Sequence, residues 1–125
     1  MKIDHIGLWV RQLDVMKEFY CHYFMAQANT LYHNPKKSFK SYFLSFEDGT
    51  RLELMHKPQL ADSPVNQYGY AHLAFNLGSK EAVDQLTQQL KADGYTHLDG
   101  PRTTGDGYYE AVVADPEGNL IELTI

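Results

Sequence analysis

The strongest constraint on how this chain can fold is that one strand-and-helix pattern runs through it twice. Lys2 to Val10 alternates, with Asp4, Ile6, Leu8 and Val10 on one side and Ile3, His5, Gly7 and Trp9 on the other, the period of a strand. Leu13, Met16, Tyr20 and Phe24 then recur at helical spacing. Asn34-Pro35 breaks the pattern, and Phe39 to Phe46 reads as an aromatic-rich strand. Asp48-Gly49 follows, a hairpin signal because both central positions of the favoured turn take positive φ. A strand over Arg51 to Lys57 closes the first half.

The second half repeats this order. Tyr70 to Leu77 alternates, Ser79 is placed to cap a helix, and Val83, Leu86 and Leu90 mark its apolar stripe up to Gly94. A short strand at Tyr95 to Leu98, a Gly- and Thr-rich loop over Gly100 to Gly107, a strand at Tyr108 to Ala114, a turn at Asp115-Pro116-Glu117-Gly118 and a strand at Leu120 to Ile125 follow. Each half therefore reads β-α-β-β-β, and the first strand after the helix carries the weakest signal. The expected architecture is α+β: tandem modules 1–57 and 69–125, joined by a linker 58–68, form one domain over 1–125. Their sheets build a half-open, curved mixed sheet with the helices outside. Neither half of a 125-residue chain buries enough surface to be stable alone.

Composition removes several alternatives. The net charge of −5, from 16 acids against 11 bases, argues against nucleic acid and against an anionic membrane surface. Lys36-Lys37-Lys40 and Lys57 are the basic clusters. No apolar run is long enough to span a bilayer, and Asp4 and His5 interrupt any signal-peptide core. The lone Cys21 allows no internal disulfide, so a cytoplasmic setting is expected.

Four ionisable residues occupy matching places in the two halves. His5 and His72 lie in the first strands, 67 residues apart, and Glu53 and Glu122 lie in the last strands, 69 apart. Strand alternation puts the apolar residues of these strands on the helix-covered face and all four ionisable groups on the other. His56 breaks the apolar pattern. A single strand His or Glu is ordinarily structural or solvated. Two carboxylates converging in a partly buried cavity would repel, and a divalent cation is the simplest compensation. Two imidazole nitrogens and two carboxylates without a thiolate suit zinc, nickel, cobalt, manganese or iron(II).

The motifs carrying these residues resemble the vicinal oxygen chelate superfamily, and glyoxalase I within it. They are Ile3-Asp4-His5-Ile6, Arg51-Leu52-Glu53-Leu54, Gly69-Tyr70-Ala71-His72-Leu73-Ala74-Phe75 and Asp115-Pro116-Glu117-Gly118-Asn119-Leu120-Ile121-Glu122. The resemblance implies one divalent metal ion per site, held by His5, Glu53, His72 and Glu122. It implies a lyase or isomerase acting on a small vicinal-oxygen substrate, such as a thiol hemithioacetal of methylglyoxal, by proton transfer through a metal-stabilised enediolate. Glu122 would be the base and Glu53 its counterpart. A homodimer is expected. Drug- or metabolite-sequestering proteins, epimerases, fosfomycin-type resistance enzymes and dioxygenases of the same fold are the alternatives. Where glutathione-using members carry Arg and Asn, this chain has Trp9 and Lys57, which become the expected substrate contacts.

The remaining polar residues are expected to be structural or solvated: Cys21 inside the first helix, and His22, His33, His56 and His97. Tyr108 and Tyr109 could flank the site, and the loop 100–107 reads as an exposed connection that could also act as a lid.

Overall fold

The computed structural model describes residues 1–62 and 68–125. Ser63 and Pro64 of the expected linker lie outside the described residues. The chain divides into two compact units, Met1–Pro64 and Val65–Ile125.

Unit 1 contains β1 (Ile6–Trp9), α1 (Leu13–Tyr23), β2 (Gln27–Ala28), β3 (Tyr32–Asn34), a 3₁₀ turn (Pro35–Lys37), β4 (Phe39–Ser45) and β5 (Arg51–His56). Its sheet runs β1-β5-β4-β2, with β3 also on β4. β1 pairs parallel with β5, and the other pairs are antiparallel. Unit 2 contains β6 (His72–Asn76), α2 (Lys80–Ala92), β7 (His97–Thr103), β8 (Tyr109–Ala114) and β9 (Leu120–Thr124), in the order β6-β9-β8-β7. Again only the first and last strands pair in parallel. The fold is α+β, with two helices and two open mixed sheets.

Each helix covers one face of its own sheet. In unit 1, Leu13, Met16, Phe19 and Tyr20 of α1 are buried, together with Leu44, Leu52 and Leu54 of the sheet. In unit 2, Val83 and Leu90 of α2 are buried, together with Ala111, Val113, Ile121 and Leu123. Each fully buried aliphatic side chain of this size contributes about 1.5–3 kcal/mol. Thr87 sits on the buried stripe because its hydroxyl donates to the Val83 carbonyl at 2.7 Å. His56 breaks the β5 pattern for a similar reason: its ring bonds the Val10 carbonyl at 2.9 Å.

The helix ends differ in legibility. The Ser79 hydroxyl accepts from the Ala82 N–H at 3.2 Å, and Gly94, with φ +88°, terminates α2. α1 ends through Met25, which takes the left-handed backbone at φ +56° normally given to glycine. Its start has no side-chain cap at Gln12.

Four expectations are corrected. β1 starts at Ile6, so His5 immediately precedes the strand. After α1 the chain makes two short strands, β2 and β3, both leaning on β4, where one is expected. The Asp48-Gly49 turn holds positive φ only at Gly49, because the turn spans Phe46 to Gly49 and closes through the Gly49 N–H to the Phe46 carbonyl. Finally, β7 runs through Asp99-Gly100-Pro101 to Thr103, absorbing this turn-like sequence in register shifts against β8. Gly100 is required there: at φ +74°, a Cβ would collide with the Glu110 carbonyl.

Candidate metal centre

The two hairpins that end each unit are built alike. Phe46 N–H bonds the Thr50 carbonyl and Gly49 N–H the Phe46 carbonyl. In unit 2, Asp115 N–H bonds the Asn119 carbonyl and Gly118 N–H the Asp115 carbonyl. Gly49 and Gly118 have φ of +84° and +86°. The turns are offset by the same 69 residues as the two glutamates, so the last strands start in equivalent positions. The parallel pairs share a register as well: Gly7 faces Glu53, and Ala74 faces Glu122. In both units the histidine stands two residues before the position opposite the glutamate, on the same face.

These registers bring each histidine to its own unit's glutamate. His5 Nε2 lies 3.6 Å from Glu53 Oε2, and His72 Nε2 lies 3.2 Å from Glu122 Oε2. The carboxylates are the more buried partners, with side chains 16% and 23% exposed against 37% and 38% for the rings. Two donors on one cation at about 2.0–2.2 Å, subtending 90–110°, are roughly 3.0–3.5 Å apart. One pair falls inside that range and the other within a tenth of an ångström of it. The chemistry and spacing of each pair therefore fit two ligands of a divalent ion. Among the described residues, no group of three or more His, Cys, Asp or Glu side chains gathers to hold a metal ion.

His5 has a support that the sequence reading missed. Its Nδ1 donates to Asp4 Oδ2 at 2.8 Å, and the same carboxylate oxygen pairs with Arg51. The hydrogen bond from His5 and the Arg51 guanidinium hold the Asp4 carboxyl below the usual carboxylate range. Because a carboxylate only accepts, Nδ1 carries a proton toward Asp4, and Nε2 is the ring atom left on the Glu53 side to ligate a cation. Phe43, opposite Glu53 in the β4–β5 ladder, meets the His5 ring edge-on at 5.1 Å and carries the Arg51 guanidinium over its face at 4.9 Å. The signal was visible: an aspartate adjoins the histidine within Ile3-Asp4-His5-Ile6.

Trp9 and Lys57 come together, with the Lys57 ammonium 5.0 Å from the centre of the Trp9 ring. Trp9 also meets Phe39 edge-on at 6.1 Å and is 45% exposed. In unit 2 a cleft of about 300 Å³ opens beside Glu122, lined also by Ala74, Asp106, Tyr108, Glu110 and Thr124. Tyr108 thus lines the same cleft as Glu122. Tyr109 does not: its hydroxyl donates to Asp84 of α2 at 2.6 Å. The segment after β7 is tied down by Thr104, whose hydroxyl contacts the Asp106 carboxylate and accepts from the Tyr108 N–H.

Cys21 is half-buried on α1, and burial pushes its thiol up, the opposite of an activated nucleophile. His97 bonds the Gly100 carbonyl at 2.7 Å, a structural role. No helix among the described residues is long and apolar enough to cross a membrane.

Known proteins place this architecture. A possible glyoxalase from Bacillus cereus is 27% identical with a TM-score of 0.76, over 100% of this chain and 99% of its own. A mutant of the fosfomycin resistance protein FosX from Listeria monocytogenes, complexed with Mn(II) and 1S,2S-dihydroxypropylphosphonic acid, is 25% identical with a TM-score of 0.76. That match covers 98% of this chain and 90% of FosX. The uncharacterized protein YqjT of Bacillus subtilis (strain 168) is 43% identical over 58 residues, 44% of this chain. The chain matches less than half of that relative's length, 45%. Residues 2–123 match the model of the Glyoxalase/Bleomycin resistance protein/Dioxygenase superfamily, and the chain belongs to that family.

Proposed function

We propose that this protein is a metal-dependent lyase or isomerase of the glyoxalase I type, acting on a small substrate with adjacent oxygens. A thiol hemithioacetal of methylglyoxal is the model substrate. The observation that carries this reading is the repeated His–Glu pair, with separations of 3.6 and 3.2 Å suited to neighbouring ligands of one ion. In this reading His5, Glu53, His72 and Glu122 hold a divalent cation: zinc, nickel or cobalt by preference, with manganese or iron admissible. When bound, such a cation supplies Lewis-acid stabilisation of negative charge developing on the substrate oxygens.

The protein's own residues move the proton. Glu122 takes it from a substrate carbon beside an oxygen and returns it to the neighbouring carbon, as general base and then general acid. One C–H bond breaks and another forms, so no oxidant or reductant is required. Its position at the edge of a solvent-open cleft gives a substrate access to the carboxylate. Glu53 serves as the counterpart from unit 1. Trp9 offers an apolar surface to the substrate, and Lys57 a single positive charge for an acidic substituent. A homodimer is the proposed assembly, consistent with the exposure of large apolar side chains such as Met25 and Tyr32.

The test is Glu122→Gln, assayed with methylglyoxal adducts of several thiols. The variant should keep its fold and lose at least about a hundredfold in turnover. Normal turnover would show that Glu122 is not the base. The similarity to FosX over nearly the whole chain favours a fosfomycin-type resistance enzyme as the second reading. Opening of the fosfomycin epoxide by the wild-type protein, with no activity on any hemithioacetal, would select it.

A further inference from the structure

We infer that unit 1 carries a second ligand site, for a hydrogen phosphate group, on the sheet face opposite Glu53. Three cationic or ionisable side chains stand in one row across three strands. His33 of β3 is registered with Lys40 of β4, and Lys40 with His56 of β5. Directly registered neighbours share a face of the sheet, with strands roughly 4.8 Å apart. His56 lies on the face of the buried Leu52 and Leu54, the face covered by α1, whereas Glu53 points the other way. The row is therefore separated from the candidate metal centre by the sheet itself.

The row borders a cleft of about 310 Å³ lined by His33, Pro35, Ser38, Lys40, His56 and Pro58. That is room for a phosphate group and part of an attached organic moiety. The two segments that line it carry charge of one sign. No Asp or Glu occurs between Glu18 and Glu47, nor between Glu53 and Asp62, so both segments that build the cleft are free of acids. Lys36 and Lys37 are exposed in the 3₁₀ turn that begins at Pro35. In a chain of net charge −5, this concentration of cations is local to the cleft.

His56 narrows the ligand from any anion to one that also donates a hydrogen bond. The Val10 carbonyl can only accept, so His56 Nδ1 is its donor, and in the neutral ring Nε2 is left as an acceptor lining the cleft. Inorganic phosphate at neutral pH keeps at least one P–OH, and so offers anionic oxygens to Lys40 and a donor to His56 Nε2. Sulfate and carboxylate offer only the former. Ser38 adds a hydroxyl that can serve either partner.

The experiment is titration of the full, ¹⁵N-labelled chain at constant ionic strength and neutral pH, following the imidazole nitrogens. The probes are inorganic phosphate, glycerol phosphate and sulfate. Saturable shifts at His33 and His56 with phosphate are expected, and about tenfold weaker binding of sulfate, which lacks the donor. Lys40→Met should weaken phosphate binding by at least about tenfold through loss of the charge-assisted bond, without moving the melting temperature. His33→Asn provides a second variant with the same expected direction. Glycerol phosphate is mainly a dianion without P–OH at this pH and should bind about as weakly as sulfate, whereas binding tighter than inorganic phosphate would overturn the donor role. Absence of saturation, equal response to sulfate, or shifts centred on His5 or His72 would overturn the site.

Discussion

The two units share a backbone plan but surround their histidines differently. In unit 1, His5 is held from behind by Asp4, which is itself paired with Arg51, and is flanked by Phe43. The positions with the same offsets in unit 2 are Ala71, Leu120 and Val112, none of which can hydrogen-bond an imidazole through its side chain. Yet His72 approaches its glutamate at 3.2 Å, closer than the 3.6 Å of His5. The shared strand register is thus enough to bring the pair together, and the Asp4–Arg51 support does something else. It fixes which ring nitrogen of His5 is free, a matter of tautomer rather than of position.

The turns supporting the glutamates invert this asymmetry. Asp115 is 4% exposed. One of its carboxylate oxygens accepts from the Glu117 and Asn119 N–H groups, and the other from the Asn119 side chain. In the unit 1 turn, Asp48 lies on the surface and bonds the N–H and hydroxyl of Thr50. Removing a buried acceptor strands its donors, whereas water replaces an exposed one. Asp115→Ala should therefore cost about 1–3 kcal/mol in urea unfolding, and Asp48→Ala well below that. Equal losses would erase the difference between the turns.

Asp4→Asn should lower affinity for a divalent cation about ten- to hundredfold, as loss of a ligand's outer partner does elsewhere. Asp4→Ala, which leaves no acceptor there, should also abolish the Nδ1–H preference of His5 in ¹⁵N spectra of the metal-free protein. Ala71→Asn in unit 2 should change neither. If Asp4→Ala leaves the His5 tautomer intact, Asp4 is not its orienting group.

The smallest effect separates the turns by pH. The N–H and hydroxyl of Thr50 hold the Asp48 carboxyl below its ordinary value. A depressed folded-state pKa stabilises the fold above the unfolded value of about 3.9, and this contribution is lost as pH falls through the folded value. Wild type should thus exceed Asp48→Asn in stability at neutral pH, with the gap closing below about pH 4. A gap independent of pH would remove the carboxylate from the account.

What could be read from the sequence is what depends on period and turn chemistry. The alternation of β5 and β9, the cap at Ser79, the glycine stop at Gly94 and the offset of 69 between the glutamates all appear in the structure. Harder to read were features made by tertiary contact. β2 and β3 exist because β4 offers them an edge, and Met25 ends α1 without a glycine to announce it. β7 carries Gly100-Pro101 through a strand because its pairing with β8 absorbs register shifts. The His–Glu pairings follow from alternation and offset, whereas the Asp4–Arg51 support joins residues 47 positions apart and needed the β1–β5 register to be seen.

Under the proposed function His5, Glu53, His72 and Glu122 hold a single cation, and titration of metal-free protein with cobalt(II), followed by absorbance and calorimetry, tests this. One ion per chain is expected, with affinity reduced by orders of magnitude in each of His5→Ala and His72→Ala. Two independent ions per chain, one ion indifferent to either substitution, or no binding at all would contradict it.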